Sequence, residues 1–159
     1  MRFEHLIEVN DANNPAVVAL SVEQLWQGLM LRVEAPQRFL EHIEQVTILE
    51  RGGDWVLREV DFGQFIVRDR ISLVLNSAIR FETEANAQHP GGTLAITLES
   101  PEEGHLFLRF VYDTTVPEPG PGAGEGEIDY AAYLKAAYRQ MDIDMMRQIR
   151  EWAVLGQLS

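Results

Sequence analysis

The sequence contains no cysteine among its 159 residues. This absence excludes disulfides, thiolate metal ligands and a cysteine nucleophile, and it suits a reducing compartment. Long apolar runs are also missing, since no stretch approaches the ~20 apolar residues of a membrane-spanning helix. The start, MRFEHLIEVND, has no apolar core of signal-peptide length. We therefore expect a cytoplasmic protein that does not insert into a membrane.

Basic residues are few: 13 Lys and Arg stand against 25 Asp and Glu, for a formal net charge of -12. An acidic surface repels phosphate groups, so nucleic acids and anionic membranes are poor partners. A chain of this length suits a single domain, residues 1–159. Such a domain buries roughly 70% of the surface that its unfolded chain exposes, so it needs no metal to fold.

Catalytic and cofactor motifs are missing as well. The sequence has no G-x-S-x-G, no H-E-x-x-H and no G-x-G-x-x-G, and its four histidines lack metal-ligand spacing. We therefore predict neither a metal nor a cofactor. The Pro/Gly-rich segment 116–127 precedes a helix, where a phosphate-binding loop would lie, but no Lys-Ser or Lys-Thr follows it. We predict a flexible loop, with a lid over a cavity mouth as the alternative.

The last long segment, Ile128 to Leu155, has the apolar spacing of one long amphipathic helix. The residues predicted on its apolar face are Tyr130, Leu134, Ala137, Tyr138, Met141, Met145, Ile149 and Trp152. A face this wide needs a partner surface. Because almost everything before it has strand patterns, the predicted partner is a curved antiparallel sheet.

The earlier chain begins with an alternating strand, Arg2 to Asn10, with Asn10 on its polar side. Ser21 and Gln24 form a predicted capping box that starts a helix burying Trp26 and Met30. Pro36 stops that helix, and a second short helix is predicted with Phe39, Leu40 and Ile43 as its apolar side. Six strands joined by tight turns follow, predicted at Glu44–Arg51, Trp55–Phe62, Phe65–Leu75, Ile79–Ala85, Thr93–Glu99 and Leu106–Thr115.

The Gly63-Gln64 turn predicts the register of one hairpin, because a two-residue turn fixes which residues face each other. Arg58 then lies opposite Asp69 on the core side, and Glu59 lies opposite Arg68 on the outer side. Burying an ion pair is a poor source of stability, since desolvation can exceed the mutual attraction. The inner pair therefore either fixes register or supplies the polar end of a ligand pocket, and we favour the pocket.

The order of these elements resembles the helix-grip fold of the START-like (SRPBCC) superfamily, an α+β class, and is most similar to its AtaL-like branch. The resemblance lies in these segments: FEHLIEVND (3–11), LSVEQLWQGLMLRVEAPQRF (20–39), REVDFGQFIVRDRI (58–71), GGTLAITLES (91–100) and LFLRFVYDT (106–114). It implies a cavity between the sheet and the C-terminal helix. Superfamily members bind lipids, sterols or polyketides there, and some are cyclases or dehydratases. The branch offers no agreed active site to carry over.

The leading prediction is binding of a small, largely apolar, lipid- or polyketide-like molecule in that cavity. The predicted ligand-binding residues are Trp26, Met30, Arg58, Asp69, Phe81, Phe110, Tyr112, Tyr138, Met141 and Met145. One alternative is a cyclase or dehydratase whose acid or base is His5, Arg58, Asp69, Tyr112 or Tyr138, although for each of these residues a satisfied structural role is the more favoured interpretation. The other is an interaction module, in which Leu6, Phe107 and Val111 form a homodimer patch on the outer sheet face.

Overall fold

The computed structural model describes residues 1–118 and 129–158, which form an α+β helix-grip fold. The strands are β1 (Arg2–Asn10), β2 (Gln45–Arg51), β3 (Trp55–Asp61), β4 (Ile66–Val74), β5 (Ala78–Thr83), β6 (Gly92–Glu99) and β7 (Leu106–Asp113). The helices are α1 (Val22–Glu34) and α2 (Tyr130–Val154). The strands form one antiparallel sheet in the order β1-β7-β6-β5-β4-β3-β2.

The core lies between one face of this sheet and the two helices. Strand alternation places one side chain in two on the inner face, as β4 shows with Val67, Asp69 and Ile71 buried. The largest fully buried side chains are Leu25, Leu29, Ile71, Ile79, Ile96, Leu108, Phe110 and Ile149. The apolar sequence pattern thus positions both helices on the inner face, and the site described below opens within that layer.

Helix α1 begins with the predicted capping box. The Gln24 amide donates to Ser21 Oγ over 3.0 Å, and the Ser21 amide donates to Gln24 Oε1 over 2.9 Å. At Gly28 the helix comes close to α2, since an added Cβ would lie 2.5 Å from a side-chain carbon of the fully buried Ile149. The absence of a side chain at Gly28 therefore sets how closely α1 approaches α2.

The predicted second helix is wrong for Phe39, Leu40 and Ile43. Only a single 3-10 turn forms, at Pro36–Arg38. The Leu40 amide still donates to the Pro36 carbonyl, but His42 adopts a left-handed φ of 71° and the chain cannot continue as a helix.

Three residues lie on the opposite side from the one predicted. Asn10 is buried, because the β1–β7 register shifts between Glu8 and Asn10. Its side chain exchanges hydrogen bonds with the backbone of Leu20, which fixes the loop before α1. Tyr130 of α2 is 56% exposed. Ala137 of α2 is exposed as well, and apart from Ala131 the buried residues of α2 lie from Asp142 onward.

The hairpin of β3 and β4 has the predicted register. Arg58 pairs with Asp69 and Glu59 with Arg68 across the strands, and Gly63 adopts a positive φ of 87° in the turn between them. The outer pair joins Arg68 Nη2 to Glu59 Oε1 over 2.6 Å with both side chains partly exposed. The inner pair is buried. A two-residue turn is therefore sufficient to place Arg58 and Asp69 beneath the helices.

The outer face carries the predicted dimer patch. Leu6 is 49% exposed, and Phe107 and Val111 are half-buried beside it. Arg109 lies directly opposite Leu6 and forms ion pairs with Glu4 and Glu99, so the patch is crossed by charges. The homodimer stays a prediction.

Most of the predicted Pro/Gly loop, residues 119–127, lies outside the described residues, so its flexibility and its role as a lid also stay predictions. Within residues 1–118 and 129–158, no helix has the length and apolar character needed to cross a membrane.

Candidate ligand-binding pocket

A pocket of about 280 Å³ lies between the inner face of the sheet and the first half of α2. Its lining is mainly apolar and includes five aromatic rings, those of Phe62, Phe65, Phe81, Tyr112 and Tyr138. Polar side chains enter it from the end of α1, from β3 to β5 and from the loop before β6. The pocket is the cavity that the sequence predicts between sheet and C-terminal helix.

The structure brings together six of the ten predicted site residues in this pocket: Arg58, Asp69, Phe81, Tyr112, Tyr138 and Met141. Trp26 and Met30 line a separate groove beside Trp152 and Leu158. Phe110 is fully buried, and Met145 borders a small space next to the pocket. Helical and strand spacing identify the buried face of an element, but not where along that face the side chains leave a space.

Arg58 and Asp69 form a buried ion pair at the pocket wall. Arg58 Nε donates to Asp69 Oδ2 over 3.0 Å, and Nη2 lies 2.9 Å from the same oxygen. The other carboxylate oxygen accepts from Thr83 Oγ1 over 2.6 Å. Arg58 Nη1 donates to the carbonyls of Arg32 and Val33 over 2.8 and 2.6 Å. Every nitrogen of this guanidinium therefore has a partner within the protein.

These contacts make Arg58 a link between β3 and α1. Its guanidinium lies at the C-terminal end of α1, where free carbonyls and the helix dipole favour a cation. Burial lowers the pKa of Arg58, and the neighbouring Asp69 opposes that shift. Since an arginine keeps its charge even so, the pair is a permanent ionic clamp between strand and helix.

A second buried pair, Arg32 with Asp142, was not predicted from the sequence. Asp142 is fully buried, and its Oδ1 accepts from Arg32 Nη1 over 2.7 Å. Its Oδ2 accepts from Tyr112 OH over 2.6 Å and lies 2.8 Å from His5 Nε2. The four residues come from β1, α1, β7 and α2, so one carboxylate ties four elements together.

His5 is thus a hydrogen-bonded histidine of the core. Its ring lies between those of Phe3 and Phe110, at centroid distances of 5.2 and 4.9 Å. Burial is the main cause that raises the pKa of the Tyr112 hydroxyl, and Asp142 adds to the shift while Arg32 opposes it. Tyr112 therefore stays protonated and donates to Asp142 at physiological pH.

A signal for Asp142 does exist in the sequence. It follows Tyr138 by four positions and precedes Met145 by three and Ile149 by seven, so it falls within the apolar stripe of α2. A carboxylate at such a position needs a partner when it is buried. The spacing therefore predicts a partner, but it does not say that Arg32, 110 residues earlier, is that partner.

Arg32 differs from Arg58 in its unused donors. Its Nη1 makes hydrogen bonds to Asp142 and, over 3.4 Å, to Met145 Sδ. The Tyr112 hydroxyl also lies within hydrogen-bonding reach of this guanidinium, so at least two of its five N–H donors have no partner in the described part of the chain. No fully buried side-chain nitrogen or oxygen of the described residues lacks a partner, so an Arg32 nitrogen without one reaches accessible space. Because Arg32 lines the pocket, its free donors are available there.

Burial of Arg32 lowers its pKa, but the charge of Asp142 and its hydrogen bond outweigh that effect and the net shift is upward. Arg32 is therefore a fixed cation. Its Cζ lies 5.9 Å from the centre of the Phe81 ring, and Arg58 Cζ lies 5.5 Å from the same centre. Both cations thus contact one aromatic ring of the pocket.

Two further polar side chains, Tyr138 and His89, also line the pocket. The Tyr138 ring stacks on that of Tyr112 at 4.3 Å, and its hydroxyl makes no hydrogen bond with residues 1–118 or 129–158. Burial raises the pKa of Tyr138, with a smaller contribution from Tyr130. His89, which the sequence did not single out, accepts from the Gly91 amide at Nδ1 over 2.9 Å. This bond places the ring proton of neutral His89 on Nε2.

The described residues contain no group of three or more His, Asp or Glu side chains that could hold a metal ion. The chemistry available in the pocket is therefore apolar contact, aromatic stacking, hydrogen-bond donation from Arg32 and Tyr138, and proton donation by a tyrosine.

Together, the seven-stranded sheet, the long C-terminal helix and the pocket between them define a START-like helix-grip protein. Residues 7–156 match the model of the AtaL family, described as acetylaranotin biosynthesis cluster protein L. The chain belongs to this family. A comparison with curated proteins finds no match.

Several solved structures share the fold. The di-domain ARO/CYC StfQ from the steffimycin biosynthetic pathway is 17% identical with a TM-score of 0.70, over 98% of this chain and 52% of StfQ. The Zhui aromatase/cyclase from Streptomyces sp. R1128 is 16% identical with a TM-score of 0.61, over 96% and 93%. A START superfamily protein from Mycobacterium smegmatis is 13% identical with a TM-score of 0.60, over 96% and 98%. At these identities the likeness shows the fold alone.

Proposed function

We propose that the protein binds a small, largely apolar molecule in the pocket between the sheet and α2. The observation that carries this proposal is the pocket itself, with a volume of about 280 Å³, a mainly apolar lining surface and polar side chains that enter it from several elements. Ligand sites combine an apolar wall with a small number of placed polar groups, and their volumes begin at about 300 Å³. The volume therefore favours a compact ligand of a few rings rather than a long lipid chain.

Filling the pocket tests this proposal. Val67 of β4 lines the pocket, whereas Val111 of β7 lies on the outer face of the same sheet. We expect Val67→Phe to weaken binding of acetylnaphthalene, measured by titration calorimetry, by at least about tenfold because the added ring occupies ligand volume. Val111→Phe is the matched control and should bind as the wild type does.

Thermal unfolding of both variants separates occlusion from instability, since overpacking costs about 1–3 kcal/mol. A wild-type protein that binds no naphthalene probe, or a Val67→Phe variant that is folded and binds normally, would contradict the proposal.

A second candidate function is catalysis of dehydration or cyclisation. The observation that favours it is the Tyr138 hydroxyl, which lines the pocket without a protein partner in the described residues and whose pKa is raised by burial. Burial keeps this hydroxyl protonated at neutral pH, so it can donate a hydrogen bond to the oxygen of a substrate. Two structural neighbours, StfQ and Zhui, are described as aromatase/cyclase proteins.

A naphthyl β-hydroxy ketone would test this activity. Loss of water from it gives a conjugated enone, whose absorbance reports the reaction. We expect Tyr138→Phe to abolish any rate above that in buffer while acetylnaphthalene still binds. A wild-type rate equal to that in buffer would exclude this activity and leave the binding proposal intact.

A further inference from the structure

The charges at the pocket cancel within the protein. The described lining residues with a permanent charge are Arg32, Arg58 and Asp69, and Asp142 lies directly behind the wall. Two guanidinium groups are thus matched by two carboxylates, each at 2.9 Å or less. A ligand with a net charge would find no unpaired counter-charge here, and burying an uncompensated charge is strongly unfavourable.

Unlike the charges, the hydrogen-bond donors at the pocket are not all paired within the protein. Arg58 uses four of its five N–H donors on Asp69 and on two carbonyls of α1, whereas Arg32 keeps at least two of its five donors without a partner in the described residues. Arg32 cannot swing freely, because Asp142 holds its Nη1 and is itself held by Tyr112 and His5. A guanidinium offers donors but no acceptor, so the pocket presents a fixed donor pair that calls for an acceptor atom on the ligand.

The shape of the walls adds a third constraint. Phe81, Tyr112 and Tyr138 present ring faces or edges to the pocket, and Arg32 lies within cation–π distance of Phe81. Aromatic rings in this arrangement favour a flat partner that can stack or pack edge to face.

We infer that the ligand is a planar, uncharged aromatic carbonyl compound whose carbonyl oxygen accepts hydrogen bonds from Arg32. This inference rests on the proposed function and names the class of ligand that the same pocket takes. Asp142 acts as a positioning residue, since it touches Arg32 rather than the ligand.

Three naphthalene probes with the same substitution position test the inference: acetylnaphthalene, ethylnaphthalene and naphthoate. They match in size and differ in offering a neutral acceptor, no acceptor or a charged acceptor. Titrations at about pH 8 keep ordinary histidines neutral and naphthoate ionised. We expect acetylnaphthalene to bind about tenfold or more tightly than ethylnaphthalene, the gain typical of a hydrogen bond to a charged group. Naphthoate should bind no better than ethylnaphthalene.

Arg32→Met should reduce the ratio of acetylnaphthalene to ethylnaphthalene affinity to about one, because methionine fills the space without donating. Arg51→Met is the matched control, since Arg51 pairs with Glu34 on the surface and does not line the pocket. Arg32→Lys serves if the methionine variant does not fold. It keeps a cation beside Asp142 but lacks the second arm of the guanidinium, so the ratio should fall as well.

The infrared carbonyl band of bound acetylnaphthalene gives a readout that a purely structural role of Arg32 would not move. In the wild type it should lie below its frequency in an apolar solvent, and Arg32→Lys should shift it back. Equal affinity for the acetyl and ethyl probes, tightest binding of naphthoate, or a ratio that survives loss of Arg32 would overturn the inference and leave apolar binding standing. Failure of both neutral probes to bind would overturn the proposed function, and the inference with it.

Discussion

Two arginine–aspartate pairs lie around the Phe81 ring, and they differ in how many guanidinium N–H donors have no partner within the protein. Arg58 uses all its nitrogens on Asp69 and on the carbonyls that end α1. Arg32 pairs with Asp142 through Nη1 and keeps at least two N–H donors without a partner in the described residues. The first pair stabilises the junction of strand and helix, whereas the second orients a donor. Two pairs of the same residue types and similar burial therefore have different roles. The number of unpaired N–H donors on the arginine distinguishes the two roles.

The largest expected effect concerns the pair of Arg58 with Asp69. Arg58→Met should lower the free energy of unfolding by about 3–5 kcal/mol, because it leaves Asp69 buried without its counter-charge and the end of α1 without its donor. The double variant Arg58→Met, Asp69→Leu should cost less than the single one, since no unpaired charge remains. Urea unfolding measures both. A double variant less stable than Arg58→Met would show that the pair itself supplies net stability.

The second prediction concerns Asp142, the carboxylate that pairs with Arg32. Asp142→Asn keeps the side-chain shape but removes the charge that three groups share, so we expect a loss of roughly 2–3 kcal/mol in the free energy of unfolding. Asp144→Asn is the control, since Asp144 lies two residues along α2 and is 53% exposed. The acetyl-to-ethyl affinity ratio should fall in Asp142→Asn as Arg32 loses its orientation. An unchanged ratio would mean that Arg32 holds its position without Asp142.

The third prediction concerns pH. The cluster around Asp142 contains the phenol of Tyr112, whereas the Arg58–Asp69 pair has no tyrosine partner. The pKa of Tyr112 is raised above its ordinary value of 10.0 in the folded protein. Above about pH 10 the unfolded chain releases this proton and the folded one keeps it, so stability is full below that pH and falls by up to ~1.4 kcal/mol per pH unit above it. Urea unfolding between pH 9 and 11 should show a shallower fall in Tyr112→Phe.

Tyr138 contributes in the same direction, since burial also raises its pKa. Tyr138→Phe is therefore the control that separates the two tyrosines. Identical pH profiles for the wild type and Tyr112→Phe would contradict a protonated Tyr112 at the centre of the cluster.

The smallest effect is expected at the outer pair of the same hairpin. Glu59 and Arg68 are joined over 2.6 Å but remain partly exposed. Water screens such pairs, so Glu59→Gln should change the free energy of unfolding by about 0–1 kcal/mol. A cost near that of Arg58→Met would show that burial does not distinguish the two sides of the hairpin.

Much of the fold follows from local sequence. The capping box at Ser21 starts α1 where the pattern predicts it, because both of its hydrogen bonds are made within four residues. The Gly63-Gln64 turn sets the pairing of Arg58 with Asp69 for the same reason, since a two-residue turn leaves the strands one register. The failures are equally local in origin: the left-handed His42 and the bulge near Asn10 have no signal in the apolar pattern.

By itself, then, the sequence determined the α+β architecture, the hairpin register and the face on which most pocket residues lie. Only the tertiary structure decided that Arg32 meets Asp142, that Trp26, Met30 and Phe110 lie away from the pocket, and that all three nitrogens of Arg58 have partners within the protein. The physical reason is the distance along the chain over which each interaction acts. Turns, caps and alternation act between neighbours along the chain, whereas the partner of a buried charge is chosen by which elements pack together.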